Sequence, residues 1–167
     1  MKVKTISIGE YQIVNDSEVV LETRTPKWYS SEINFNYNDK LYEIKKSSFW
    51  GLSYTIFELK RPIGKINICF THNSLGVIRL KIKNETYNEY TLRKYKVGKW
   101  YSSETRYVLN TKVLIPVLTI HYDNKNKGSW VNSADIRVSF NDLHSADLSL
   151  LVFSLFLMVE TDKDLVT

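Results

Sequence analysis

Residues 148–159 read LSLLVFSLFLMV, an apolar run that only Ser149 and Ser154 interrupt. An α-helix with no polar face must be surrounded, either by lipid or by protein. At about 1.5 Å per residue this helix spans roughly 18 Å, well short of the roughly 30 Å hydrocarbon core of a bilayer. The run therefore predicts a buried core helix at about 145–160, and we expect no transmembrane span.

The boundaries of this helix are also marked in the sequence. Ser145 is placed to cap the first turn, and Asp147 lies there too, where a carboxylate suits the helix dipole. The chain turns polar at Glu160, so we expect a short polar tail from about residue 161. A chain of 167 residues without linkers or low-complexity tracts predicts a single domain, residues 1–167.

The rest of the chain consists of short segments rich in strand-forming residues, separated by turn signals such as those at residues 38–39 and 61–62. This rhythm indicates a meander of antiparallel strands rather than βαβ units. A sheet that wraps one apolar helix must be nearly closed. The predicted fold is therefore all-β dominated, a barrel of about twelve antiparallel strands that encloses the C-terminal helix. The predicted strands are residues 3–8, 19–23, 33–37, 41–45, 54–60, 64–70, 77–83, 87–95, 99–102, 106–109, 113–122 and 136–140.

One hairpin allows a register to be predicted. Apolar and basic residues alternate along IRLKIK at 78–83, which places them on opposite faces of a strand. A three-residue loop after this segment sets Leu80 opposite Tyr90 on the apolar face. The same register sets Lys81 opposite Glu89 on the outer face, so the basic side chains are expected to face solvent.

Pro116 interrupts the predicted strand at 113–122, because proline cannot donate to the hydrogen-bond ladder. We expect this segment to be an edge, a bulge, or two short strands that meet at Pro116.

The sequence contains no recognised catalytic or cofactor motif. It has no P-loop, no dinucleotide fingerprint and no G-x-S-x-G elbow. The histidines, His72, His121 and His144, lack the spacing of metal ligands. We therefore predict a non-enzymatic protein with no catalytic residues, no metal site and no cofactor. A Ser-His-Asp triad assembles in space and stays open at this level.

Cysteine content, the N-terminal sequence and net charge bear on the cellular compartment and on the class of partner. Cys69 is the sole cysteine, so no intrachain disulfide forms, and the N-terminus has no apolar run of signal-peptide length. Both features favour a cytoplasmic protein. The net charge of +5 fits anionic lipid, nucleic acid or ordinary solubility, and decides nothing alone.

The densest candidate binding segment is KYKVGKWY at 94–101. Lysines hold phosphate, while tryptophan and tyrosine favour a membrane interface. Smaller basic or aromatic clusters lie at 27–29 and 60–65. The alternative is a lysine-rich hairpin tip whose aromatic rings pack inward. The candidate residues for lipid headgroups are Lys94, Lys96, Lys99, Trp100 and Tyr101.

The layout of the chain resembles the Tubby C-terminal-like superfamily, which includes Tubby domains, phospholipid scramblases and LURP-one-related proteins. The residues that carry the resemblance are the helix segment SADLSLLVFSLFLM at 145–158 and the preceding strand DIRVSF at 135–140. The resemblance implies a roughly twelve-stranded barrel around a hydrophobic C-terminal helix. It also implies lipid contact, since Tubby domains bind phosphoinositides through basic residues. No residue of their lipid sites can be placed here by position.

The leading functional hypothesis is a cytoplasmic protein that associates peripherally with membranes by contacting anionic phospholipid or phosphoinositide headgroups. We expect no nucleic-acid partner. The alternatives are a closed β-barrel carrier of a small apolar ligand and a protein-interaction module. The position of the helix tests the carrier hypothesis, because a barrel filled by a helix has no lumen for a ligand.

Overall fold

The computed structural model describes residues 2–7, 10–26, 32–47, 52–71, 74–82, 86–96, 104–123, 135–141 and 147–161. Within these ranges the chain forms twelve β-strands followed by one α-helix. The elements are β1 (Lys2–Ser7), β2 (Glu10–Asn15), β3 (Glu18–Arg24), β4 (Ile33–Tyr37), β5 (Lys40–Lys46), β6 (Ser53–Glu58), β7 (Arg61–Thr71), β8 (Ser74–Ile82), β9 (Thr86–Lys96), β10 (Glu104–Thr111), β11 (Pro116–Asp123), β12 (Asp135–Phe140) and α1 (Leu148–Thr161).

The strands form one closed antiparallel barrel. Each strand pairs with its neighbours in sequence, and β1 pairs with β12 to close the ring. Burial alternates along the strands; in β5, Tyr42 and Ile44 are buried while Glu43 and Lys45 are partly exposed. This period of two places one face of each strand toward the interior. The predicted fold class is confirmed.

Helix α1 fills the interior of this barrel. All its side chains from Leu148 to Met158 are buried, including Ser149 and Ser154. The Phe153 ring lies 6.0 Å from that of Phe35, and Gly76 lets the sheet approach the helix, since an added Cβ would lie 2.8 Å from Leu157. The predicted burial of the helix is confirmed, with exposed fractions of 0–2% at Leu151, Phe153, Leu155, Phe156 and Leu157.

The helix begins at Leu148 rather than near residue 145. Asp147 precedes the first turn, and its Oδ1 accepts a hydrogen bond from Ser149 N at 3.1 Å. Asp147 is therefore the capping residue. The predicted cap Ser145 lies outside the described residues. Within the described residues, no helix has the length and apolar character needed to cross a membrane.

Two ends of the barrel can be distinguished, and they are named here by the course of α1. The entry end carries the tight turns β2–β3, β4–β5, β6–β7 and β10–β11, and α1 begins there. The exit end lies where α1 finishes, at Glu160 and Thr161. Three of the entry-end turns have two central residues with positive φ, the type I′ geometry that suits hairpins.

Apart from small shifts at strand ends, the strand predictions differ from the described structure at two places, β2 and the start of β11. Strand β2 was missed, although Tyr11 and Ile13 alternate with polar residues there. The predicted strand at 99–102 lies outside the described residues. The strand predicted at 113–122 begins at Pro116, because a first position requires no ladder donor.

The predicted register of the β8–β9 hairpin is wrong by two residues. Leu80 lies opposite Asn88 rather than Tyr90, and Arg79 rather than Lys81 lies opposite Glu89. The faces are nevertheless correct, since Leu80 is buried and Arg79 exposed. A shift of two residues preserves the face of every side chain, so the apolar pattern could not detect it.

Candidate functional site

The five predicted headgroup residues are not brought together by the described structure. Lys94 lies on the inner face of β9 opposite Tyr107, and its Nζ is 5.9 Å from the centre of the Tyr107 ring. Lys96 is exposed where β9 reaches the exit end. Lys99, Trp100 and Tyr101 lie outside the described residues. A headgroup site on this segment therefore stays a prediction.

Lys94 belongs to a mostly tyrosine-lined end of the interior. Tyr11, Tyr107 and Tyr122 are at most 4% exposed, and Tyr54 Oη donates a hydrogen bond to Glu160 Oε2 at 2.8 Å. Burial raises the pKa of Tyr11, Tyr107 and Tyr122, so these phenols are neutral at physiological pH. The cluster lies near the last turn of α1, with Glu160 close to both Tyr54 and Tyr11.

A more exposed feature lies at the entry end, in the β10–β11 turn. Val113 is 74% exposed, Leu114 53% and Ile115 49%. Leu114 N donates to Thr111 O at 2.9 Å, and Thr111 N donates to Ile115 O at 2.9 Å. These bonds pair Thr111 with Ile115 and close a three-residue hairpin loop at 112–114. We call residues 113–115 the apolar tip.

The backbone of the apolar tip makes the choice of leucine unusual. Leu114 has φ 64°, a left-handed conformation that hairpins of this type usually give to glycine or asparagine. A side chain there costs roughly 1–2 kcal/mol. The sequence thus places a large apolar residue where it is both strained and exposed to solvent. Local conflicts of this kind are expected at functional positions.

The β6–β7 turn repeats the same combination at the same end of the barrel. Leu59 is 57% exposed with φ 46°, and Lys60 follows it with φ 66°. The β10–β11 turn likewise places Lys112 directly before its apolar residues. Each turn therefore presents an exposed leucine beside a lysine.

A groove of about 650 Å³ crosses the outer surface of the strands between these two turns. It contains three basic residues and one acidic residue, and Arg79 Nε donates to Glu89 Oε2 at 2.7 Å. Tyr87 is 62% exposed at its edge. The groove can hold an anion beside an amphipathic ring. Its lining consists of Lys65, Arg79, Tyr87, Asn88, Glu89, Tyr90, Thr111, Lys112 and Val113.

Only part of this site is predictable from the sequence. Lys65 belongs to the basic cluster at 60–65, and Arg79 lies on the outer face of β8 as the alternating pattern predicts. The apolar tip was missed because residues 113–115 were assigned to a strand. Pro116 is the sequence signal that could have located the apolar tip. Proline is tolerated at the first position of a strand, and a strand that starts at Pro116 leaves residues 113–115 in the β10–β11 turn.

In the described ranges no three His, Cys, Asp or Glu residues lie close enough together to hold a metal ion. Cys69 is half-buried, with its Sγ 3.7 Å from Ser74 Oγ. The exposed leucines and the basic groove are therefore the features that carry a functional argument.

The membership of the Tubby C-terminal-like superfamily stays a prediction that rests on layout. Searches of protein-family models, curated proteins and solved structures found no significant match to this chain.

Proposed function

We propose that this protein docks on anionic phospholipid surfaces through the entry end of its barrel. The observation that carries the proposal is the apolar tip, three exposed large side chains held in a strained turn beside a basic groove. The apolar tip and Leu59 enter the interfacial region of the bilayer. Lys65, Arg79 and Lys112 face the phosphates.

The expected strength of this contact follows from its parts. Burial of a large apolar side chain contributes about 1.5–3 kcal/mol when it is complete, and the side chains of the tip are only partly buried by an interface. Each lysine or arginine near an anionic surface adds about 1 kcal/mol. After ordering costs, a net of about 5 kcal/mol corresponds to half-binding at roughly 0.2 mM accessible lipid. The binding is weak and reversible.

The interior of the barrel supports a surface function over a carrier function. Helix α1 packs where a carrier would hold its ligand, and its side chains from Leu148 to Met158 are buried against the sheet. A protein-interaction module is the remaining alternative. It differs from the lipid proposal because it requires no response to vesicle charge.

The test is co-sedimentation with vesicles of phosphatidylcholine alone and of phosphatidylcholine with phosphatidylserine or phosphoinositide. The variants Leu114→Asn and Leu59→Asn introduce asparagine, which tolerates the positive φ at both positions. We therefore expect the fold to be retained or slightly stabilised. We expect the double variant to bind anionic vesicles about tenfold more weakly, since each lost leucine contributes part of its burial energy. Leu52→Asn is the matched control, because Leu52 is 46% exposed but precedes β6 at the exit end.

A second arm separates the entry end from the predicted segment at 94–101. Lys112→Glu reverses charge beside the apolar tip, whereas Lys96→Glu reverses it at the exit end. The proposal requires Lys112→Glu to weaken binding more strongly than Lys96→Glu. The opposite ranking would move the site to the exit end. Wild-type protein that ignores anionic vesicles at low salt would exclude the membrane function.

A further inference from the structure

The junction between β3 and β4 is one of the two junctions of the barrel with the fewest residue pairs among the described residues. Two pairs of described residues join these strands, Thr23 with Phe35 and Arg24 with Asn34. On their other edges, β4 pairs with β5 through five residues and β3 pairs with β2 through four. The β1–β12 junction is equally short. Residues 27–31 between β3 and β4 lie outside the described part, but residues 18–22 and 36–40, on the entry-end side of the two pairs, are described. We call the β3–β4 junction the seam.

A β-bulge explains why the seam opens. Ile13 lies opposite Leu21 and Val14 opposite Val19, so Val20 has no opposite residue on β2. A bulge bends its strand and increases the local twist. The β3–β4 ladder does not continue from Phe35 toward the entry end, and we attribute its end to this bend.

The open part of the seam forms a groove of about 400 Å³. Val19 is 50% exposed and Val20 39%, so two apolar side chains border it. Asn34 Oδ1 is buried beside the groove and has no hydrogen-bond partner among the residues that the structure describes. A buried acceptor without a donor is unfavourable, so a ligand that supplies an N–H group there is favoured. The groove therefore combines apolar surface with a hydrogen-bond acceptor and the backbone edges of two strands.

The charge around the open end of the seam is acidic. The β2–β3 turn carries Asp16 and is followed by Glu18, and the β4–β5 turn carries Asp39, all of them exposed. Lys40 follows Asp39, but its Nζ is paired with Glu58 Oε1 at 2.7 Å. An occupant with a basic residue near this end is thus electrostatically favoured.

We propose that the seam binds an extended peptide from a partner protein, which adds a strand between β3 and β4. Only an extended backbone supplies donors and acceptors at the spacing of both strand edges. Its apolar side chains pack on Val19 and Val20, and its basic residue lies beside Asp16 and Glu18. The open stretch of β3, residues 18–22, accommodates about five peptide residues at roughly 3.3 Å each. The seam is four strands from the β10–β11 turn and two strands from the β6–β7 turn, and none of its lining residues belongs to the proposed membrane contact.

The test uses a fluorescent synthetic peptide of alternating valine and threonine with a lysine at each end. Its control is the same peptide with proline at the central position, which removes a backbone donor. Fluorescence anisotropy measures the affinity for the full chain. Hydrogen exchange followed by mass spectrometry reports protection along β3 and β4. We expect saturable binding of the first peptide, at least tenfold weaker binding of the second, and new protection in the seam.

Matched variants of the protein locate the binding. Val20→Asp places a charge in the groove at an exposed position, whereas Val113→Asp makes the same change on the apolar tip. The proposal expects about tenfold weaker peptide binding for Val20→Asp, because a desolvated carboxylate is unfavourable, and unchanged binding for Val113→Asp. Equal binding of both peptides, or protection elsewhere in the barrel, overturns the proposal. Self-association of the wild type that Val20→Asp abolishes also overturns it, since the occupant is then a second copy of this chain.

Discussion

Tyr54 and Glu160 lie 106 residues apart in sequence, yet Tyr54 Oη donates a hydrogen bond to Glu160 Oε2 at 2.8 Å. The bond joins the barrel wall to the last turn of α1, next to the edge-to-face contact of Tyr54 with Phe156, whose ring centres are 4.8 Å apart. The apolar burial of α1 is non-directional, whereas this bond has a defined geometry. It therefore helps to fix where the helix ends within the barrel.

Tyr54→Phe removes this bond and keeps the ring contact with Phe156. We expect the free energy of unfolding to fall by about 1.5–3 kcal/mol, because the lost bond is to a charged acceptor. Urea denaturation measures the change. Glu160→Gln is the partner variant, and the double variant should cost less than the sum of the two. Additive effects would show that the two residues do not interact in solution.

Tyr11→Phe is the same chemical change at another tyrosine of the exit end, and we expect the opposite sign. Tyr11 Oη is buried and has no hydrogen-bond partner within the described residues. Its removal eliminates an unsatisfied polar group, so stability should rise by about 1 kcal/mol. The same denaturation experiment decides the sign. A loss of stability as large as that of Tyr54→Phe would mean that Tyr11 Oη has a partner.

Leu155→Asp tests the central position of α1. Leu155 is 1% exposed, and an unpaired buried charge costs more than the typical stability of a domain. We expect no cooperatively folded protein from this variant. Val113→Asp introduces the same side chain at a 74% exposed position and should fold normally. Soluble Leu155→Asp protein with a cooperative thermal transition would exclude an enclosed helix.

Alkaline pH should destabilise the fold. Burial, with the hydrogen bond to Glu58, raises the pKa of Tyr42 to about 12, and burial also raises the pKa of Tyr11, Tyr107 and Tyr122. The unfolded chain ionises first, near pH 10, so the stabilisation present below about pH 10 is lost as the pH rises toward the folded values. Thermal unfolding between about pH 9 and 12 measures this loss. Tyr107→Phe should flatten the dependence.

An unchanged melting temperature up to about pH 12 would contradict this prediction. The absorbance of phenolate provides an independent readout, since the buried tyrosines should ionise together with unfolding rather than before it. An early, gradual ionisation of all tyrosines would place these side chains in contact with solvent.

The sequence by itself determined the architecture of this protein. Residues 148–159 have no polar face, so their burial inside a nearly closed sheet followed from hydrophobicity alone. The alternation of apolar and polar residues likewise assigned the inner and outer faces of strands such as β8. The apolar composition of the helix and the two-residue alternation along the strands are local properties of the sequence. They do not depend on which residues pair across neighbouring strands.

Tertiary structure decided the strand register and which residues lie together on the surface of the barrel. The β8–β9 register depends on which cross-strand pair is made, and a shift of two residues leaves the sequence pattern unchanged. Lys94 lies against the ring of Tyr107 because the barrel wall turns its side chain inward. The apolar tip and the seam arise from a turn and a bulge, whose geometry depends on how two strands pair rather than on the residues of either strand. Pairing is a non-local choice, so the candidate sites became visible only when the strands were placed side by side.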